Sequence, residues 1–203
     1  MGIVTANLAV SLDGFTAGPQ QSLEHPFGTG ADALTAWLFE TGEPGREQDA
    51  KLLSTLHENT GAHIMGRNMF SPGRGAWDED WTGWWGPEPP YHTPVFVLTH
   101  HERKPLEMAG GTTFHFVTDG IHSALERARA AAGDRDVEIA GGAATVRQYL
   151  AAGLLDELLL HLAPVAIGAG ERLFEGLGDL SLEQSEVIAS PTVTHLRYRV
   201  PRT

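Results

Sequence analysis

Val137-Glu138-Ile139-Ala140-Gly141-Gly142-Ala143-Ala144-Thr145-Val146-Arg147-Gln148-Tyr149-Leu150 reads as a short buried strand, a glycine pair and then a helix. Val137 and Ile139 are β-branched, and turn signals bound the run on both sides. Downstream, Ala143, Val146, Tyr149 and Leu150 fall at helical spacing, and Gly153 sits where a helix stop is expected. A helix that starts at the carboxyl end of a strand aims its unpaired N–H groups at the sheet edge, and its dipole adds partial positive charge there. Two residues without Cβ let a phosphate approach the backbone within hydrogen-bond distance. The stretch therefore has the physics of a pyrophosphate cradle. An isolated Gly-Gly is more often only a tight turn, and this pair is not the Gly-x-Gly-x-x-Gly fingerprint of a Rossmann unit.

At 203 residues the chain is long enough for one sizeable core, and a single domain over 1–203 is expected. A net charge of −12 argues against nucleic acid or an anionic membrane as the main partner, since both demand clustered Lys and Arg. A small anionic ligand needs only a local positive pocket. The chain has no cysteine, which removes disulfides, thiolate catalysis and cysteine metal sites. With no span-length apolar run and no basic leader, the expected location is the cytoplasm.

Outward from the central stretch, residues 3–12 predict a first strand that leaves the sheet through Asp13-Gly14. Asp13 is either a functional carboxylate or, more commonly, one that fixes a turn by accepting backbone N–H bonds. Helices are predicted from Asp32 to Phe39, with Leu34, Trp37 and Leu38 on one face, and over roughly 47–59. The first is expected to stop at Gly-Glu-Pro-Gly, 42–45, and the second at Asn59 with Gly61. Ala62 to Met65 reads as a strand running into Gly66-Arg67-Asn68-Met69-Phe70, a second strand-glycine transition, now with an arginine. Strands at 94–99 and 113–117 follow, then a helix capped by Asp119 and running to about Ala132. After Gly153 come a strand within 154–165 and two closing strands near 181–189 and 192–200, the last alternating as if one face were wet.

Segment 71–93 is the least regular part, and it holds four of the five tryptophans among prolines and glycines. Loops this long are commonly functional. Trp77, Trp81, Trp84 and Trp85 either form a lid that stacks on a planar ligand, or anchor the loop on its own domain or on a second subunit.

Ten histidines raise the question of metal. There is no His-Glu-x-x-His, His57 and His63 lie across a predicted helix end, and His100-His101 point to opposite faces if extended, so no metal is expected. Neither a Gly-x-Ser-x-Gly elbow nor a Walker loop occurs. Three strand ends remain, near 66–70, 99–103 and 141–146, that together suit an extended phosphorylated ligand at the carboxyl edge of a largely parallel sheet.

Taken in order, five stretches resemble the dihydrofolate-reductase-like superfamily, in particular the reductase domain of riboflavin-biosynthesis deaminase-reductases. They are Ser11-Leu12-Asp13-Gly14-Phe15, Met65 to Phe70, Val95-Phe96-Val97-Leu98-Thr99, Ala140-Gly141-Gly142-Ala143, and Leu155-Asp156-Glu157 leading to Pro164 through Gly170. The resemblance implies an α/β fold of three α/β/α layers around a mixed, mostly parallel sheet, with a dinucleotide across the strand ends. It implies that Gly141, Gly142, Ala143, Ala144 and Thr145 surround a pyrophosphate, with a cis peptide in the glycine pair. Gly66, Arg67 and Asn68 would meet a phosphate from the other side, and Thr99 and His100 would sit near the adenosine ribose. Arg67 with the His/Arg cluster points to NADPH over NADH, because a guanidinium holds phosphate oxygens bidentately. A homodimer is also implied.

The chain departs from dihydrofolate reductases on the first helix. Leu34 stands where their carboxylate is expected, and Asp32 lies two residues earlier. Strict folate reduction is therefore not the expected reaction. The expected one is hydride transfer from NADPH to a heterocyclic, pteridine- or ribosylaminopyrimidine-like, or small carbonyl substrate. Asp13 and Asp32 are the catalytic candidates, with Glu24, His25 and water also open as proton donors, and Trp77, Trp81 and Trp84 are candidate substrate contacts. Two other classes compete: a non-catalytic nucleotide-binding or interaction protein on the same scaffold, and a structural dimer that buries its tryptophan loop.

Overall fold

A computed structural model describes residues 2–39 and 44–201. In chain order the strands are β1 (Val4–Ser11), β2 (Phe15–Ala17), β3 (Thr60–Gly66), β4 (Pro94–Leu98), β5 (Leu106–Glu107), β6 (Thr113–Val117), β7 (Asp136–Gly141), β8 (Glu157–Ala163), β9 (Glu171–Arg172), β10 (Glu183–Ala189) and β11 (Thr194–Arg199). The helices are α1 (Ala36–Phe39), α2 (Glu47–Thr55), α3 (Arg67–Phe70), α4 (Ile121–Ala132) and α5 (Ala143–Ala151). Nine strands form one sheet in the order β10-β11-β8-β1-β7-β3-β4-β6-β5, while β2 and β9 pair separately. From β8 through β6 the strands run parallel, and β5, β10 and β11 add antiparallel margins. The fold is thus the expected α/β type, with a mixed, mostly parallel sheet covered on both faces.

Alternation along the strands sorts the residues by face. Val4, Ala6 and Val10 of β1, Ala62 and Ile64 of β3, and Val137 and Ile139 of β7 pack with Leu125 and Ala128 of α4 and Val146 and Tyr149 of α5. On the other face Met65, Val95, Val97, Phe70 and Phe114 gather beneath the tryptophan loop. Beside them α1 and α2 cover β8 and β11: the Trp37 ring lies 4.6 Å from that of His161, and Asp49 accepts from His195 Nε2 at 2.9 Å.

Several boundaries depart from the sequence reading. The helix expected from Asp32 to Phe39 is a 3-10 turn over Asp32–Leu34 followed by the short α1. Leu34 and Trp37 are buried as expected, but Leu38 is not. Its expected stop begins at Gly42-Glu43, which lie outside the described residues; Gly45, with φ +84°, lies within them. Helix α2 ends at Thr55, and Gly61 belongs to β3 rather than to a helix stop. A Cβ on Gly61 would stand 2.8 Å from the Ala132 Cα, so this glycine permits α4 to lie against β3. Asp119 does not cap α4; Gly120 holds that position, and the Asp119 carboxylate accepts from Ser123 Oγ and Arg127 Nη2 instead. Strand β11 is not wet along one face. His195 is buried on one side against Trp37 and Asp49, while Leu196 and Tyr198 pack on the main core on the other.

Among the described residues, no helix is long and apolar enough to cross a membrane.

Candidate active site

Strands β3 and β7 are neighbours, but the chain leaves them in opposite directions. After β3 it goes to β4 on one side; after β7 it passes through α5 to β8, beyond β1 on the other. Such a reversal opens a crevice at the carboxyl ends of the two strands, where extended ligands collect in parallel sheets. Gly66 ends β3 and Gly141 ends β7, with Met65 and Gly141 in register. The two strand-glycine transitions singled out in the sequence therefore meet at one place.

Each glycine there has a separate reason. Gly141 has φ +124°, a backbone that side chains disfavour, and its peptide bond to Gly142 is cis. A Cβ on Gly66 would come 2.4 Å from the Thr145 Oγ1, so β3 and the first turn of α5 touch. A Cβ on Gly142 would meet nothing within 4 Å, although its φ of −71° suits any residue. Backbone is thus bared to open space at Gly142, immediately before the helix. The Gly142 carbonyl accepts the amides of Thr145 and Val146 at 3.0 and 3.2 Å. The amides of Ala143 and Ala144 precede the first bonds of the α-helical ladder and point out of the helix start. Ala143 and Thr145 are buried, and Ala144 is exposed on the outer side.

Arg67 is committed elsewhere. Its Nη1 donates to the Gly75 carbonyl at 2.5 Å and its Nη2 to that of Ala76 at 3.3 Å, and its guanidinium lies 3.9 Å over the Trp77 ring. Asn68 is exposed beside it. Thr99 directly follows β4; its hydroxyl accepts the His101 amide at 3.2 Å, which turns the chain, and His100 is exposed. Past this turn a groove of about 680 Å³ is lined by Glu79, Glu102, Arg103, Lys104, Phe116 and Thr118.

The tryptophan loop is anchored on its own chain. Trp77 Nε1 donates to the His101 carbonyl and Trp81 Nε1 to that of Phe70, at 2.9 and 2.8 Å. Trp84 packs edge-on against Trp81, and Trp85 stacks on Phe114. Arg103 fastens the loop from beneath through the Glu79 and Trp81 carbonyls. Trp77 and Trp81 are partly buried against the cluster over β4 and β6, which accords with the alternative of a loop anchored on its own domain.

Asp13 is a tether. Its carboxylate accepts from Ser11 Oγ at 2.5 Å, the Gly168 amide at 2.7 Å and the Ile167 amide at 3.2 Å. The Ser11 bond, assisted by these amides, holds it below the usual carboxylate range. A carboxylate so occupied fixes the turn after β1 to the segment after β8 and is poorly suited to give up a proton. Asp32 is exposed at the start of the 3-10 turn.

Two clusters of buried polar residues lie on the face opposite α4 and α5, and the sequence reading assembled neither of them. Glu138 of β7, nearly fully buried, accepts from Asn7 Nδ2 at 2.5 Å and pairs with His57 Nδ1 at 2.8 Å; His63 of β3 lies alongside. Burial drives the His63 imidazole down to about 4, and the bond to Glu138 raises that of His57. Further along, Arg46, Asp49, His195 and His161 form a buried row: 2.5 Å from Arg46 Nε to Asp49, 2.9 Å from Asp49 to His195, and 2.7 Å between the Nδ1 atoms of the two histidines. Burial, with His195 adjacent, pushes His161 down to about 3. The detectable signal was a polar residue flanked by apolar neighbours in a strand, as in Val137-Glu138-Ile139 and Ala62-His63-Ile64.

Residues 3–196 match the family of the RibD C-terminal domain. The chain belongs to that family. Solved structures agree on the fold of this RibD C-terminal domain. A Shewanella sp. PV-4 protein, provisionally assigned to riboflavin biosynthesis, is 22% identical, with a TM-score of 0.64 over 98% of this chain and 99% of that one. Acinetobacter baumannii RibD is 19% identical, with a TM-score of 0.61; it covers 99% of this chain, which spans 58% of it. Dihydrofolate reductase from Enterococcus faecalis, solved with NADP(H), is 13% identical, with a TM-score of 0.58 over 98% of this chain and 96% of that one. No curated protein matches the chain.

Proposed function

We propose that this RibD C-terminal domain is an NADPH-dependent reductase of a pyrimidine- or pteridine-like heterocycle, with small carbonyl compounds as a second substrate class. The observation that carries the reading is the bared backbone at Gly142, set between the Gly66 strand end and the start of α5 at the reversal of strand order. A pyrophosphate fits such a corner, because amides without side-chain cover and a helix start both favour negative charge. Family membership and the NADP(H) complex of a protein with the same fold support it.

When bound, the dinucleotide supplies the hydride. The chain's own part is to hold and orient. Gly141, Gly142, Ala143 and Ala144 would offer main-chain contacts to the pyrophosphate, and Thr145 would keep the helix start seated on Gly66. Thr99 and His100 would flank the adenosine end, which opens toward the groove beside Arg103 and Lys104. Arg67 would contribute through its position at the strand end, with Nη1 and Nη2 each already donating one bond to the loop. Asp13 would act by fixing the turn after β1, and Asp32 remains the exposed carboxylate nearest the first helix. Homodimerisation, implied by the resemblance, and a cytoplasmic setting, expected from the sequence, accompany this reading.

The test is a titration of NADPH and NADH against the purified chain, followed by absorbance loss at the nicotinamide band with pyrimidines, pteridines and small carbonyls. Tighter NADPH binding with turnover of one heterocycle class is expected. Binding without turnover of any of them would favour the non-catalytic nucleotide-binding alternative, consistent with Leu34 in place of a helix carboxylate.

A further inference from the structure

We infer that His57, His63 and Glu138 form a binding site for a first-row divalent transition-metal ion, with zinc the best fit. The three side chains come from three separate elements: the segment after α2, the middle of β3 and the middle of β7. Their donor atoms lie within 4.8 Å of one another. The Glu138 Oε2 stands 2.8 Å from His57 Nδ1 and 3.9 Å from His63 Nε2. Tetrahedral zinc with bonds of ~2 Å spaces its donors roughly 3.3 Å apart, so the observed pair of distances brackets what the ion requires.

The decisive atom is His63 Nε2. It is buried and, among the described residues, has no hydrogen-bond partner, although it faces Glu138. A buried polar nitrogen left this way costs stability unless something occupies it. The other ring nitrogen, Nδ1, lies 2.9 Å from Thr93 Oγ1. If Nδ1 carries the proton and donates to that hydroxyl, Nε2 presents its lone pair to the site. Glu138 has its second oxygen held by Asn7. Both buried ligands therefore have the supporting bonds that metal-bound histidines and carboxylates use for orientation. His57 is half exposed and closes the site from the solvent side, which provides an entry path and leaves a fourth position for water. Two imidazoles with one carboxylate suit zinc and its neighbours rather than magnesium or calcium, which take oxygen donors.

His63 and Glu138 each lie three residues before a glycine of the cradle, Gly66 and Gly141, which places the ion about 10 Å back along the same two strands. The site is thus separate from the dinucleotide corner and independent of the reductase reading. Binding would tie the end of α2 to the sheet.

The experiment uses the tag-free chain stripped with chelator. Zinc is titrated calorimetrically into wild type and His57→Ala, and thermal unfolding is followed with and without the ion. One zinc per chain at micromolar affinity or tighter is expected, weakened at least tenfold by His57→Ala, with a zinc-dependent rise in Tm that the variant lacks. Cobalt(II) at the same site should give the intense visible bands of a four-coordinate ion. Absence of a stoichiometric site in wild type, or equal affinity in His57→Ala, would overturn the assignment. Binding by scattered surface histidines would show as such equality. His57 is half exposed, so its removal leaves the fold available for the measurement.

Discussion

The Cα of Gly66 and the hydroxyl of Thr145 are fitted together: a methyl group on the glycine would stand 2.4 Å from the Thr145 Oγ1. The backbone at Gly66, φ −78° and ψ 155°, accepts any residue, so space alone excludes a side chain. This contact joins the end of β3 to the first turn of α5 and thereby sets the width of the proposed cofactor corner.

Gly66→Ala should cost about 1–3 kcal/mol of stability through overpacking. Thr145→Ala removes the atom in the way, so the double variant should recover much of that loss. Denaturant titration of the four proteins checks this; strictly additive effects would mean that the two positions do not interact.

Arg103 is nearly buried and bonds two carbonyls of the tryptophan loop, Glu79 at 2.9 Å and Trp81 at 2.8 Å. Arg103→Met should destabilise the chain by about 1–3 kcal/mol, because those carbonyls lose charge-assisted bonds. Urea midpoints measure it. A loop that served as a free lid would unfold at the wild-type midpoint in the variant.

The buried histidine row makes stability depend on acid. His161 is held down to about 3 by burial and by His195, whereas the unfolded chain takes the proton near 6.5. Above that unfolded value both states are neutral and the full stability is present. As pH falls from about 6.5 toward 3, the unfolded state gains a proton that the native state refuses, and stability declines. Between about pH 7 and pH 5 the loss from this group approaches 2 kcal/mol. His161→Gln should flatten that part of the curve; parallel curves for variant and wild type would show that His161 is not responsible.

Much of this architecture could be read from residues alone, and the reasons are local. Val137 to Leu150 announced a strand, a turn and a helix because β-branched alternation, Gly-Gly and helical spacing follow one another without interruption. The place of β11 between β10 and β8 could not be read, since it depends on a pairing with β8 that is distant in sequence. Arg67 illustrates the limit for the site. Its place after a strand-end glycine suggests a phosphate contact, but only the path of segment 71–93 reveals that Gly75, Ala76 and Trp77 already engage it. The His57, His63 and Glu138 cluster was hidden for the same reason: spacing along the chain says nothing of three elements that meet across a sheet.

The central claim is that bare main chain at Gly142 receives the cofactor pyrophosphate, and NADPH titration of wild type against Gly142→Val tests it most directly. Protein fluorescence would follow binding, and thermal unfolding would check that the variant is folded. The account predicts saturable binding to wild type and a loss of at least tenfold in affinity for Gly142→Val at unchanged Tm, because the added side chain would occupy space that no protein atom fills. Equal NADPH affinity in the two proteins would contradict it.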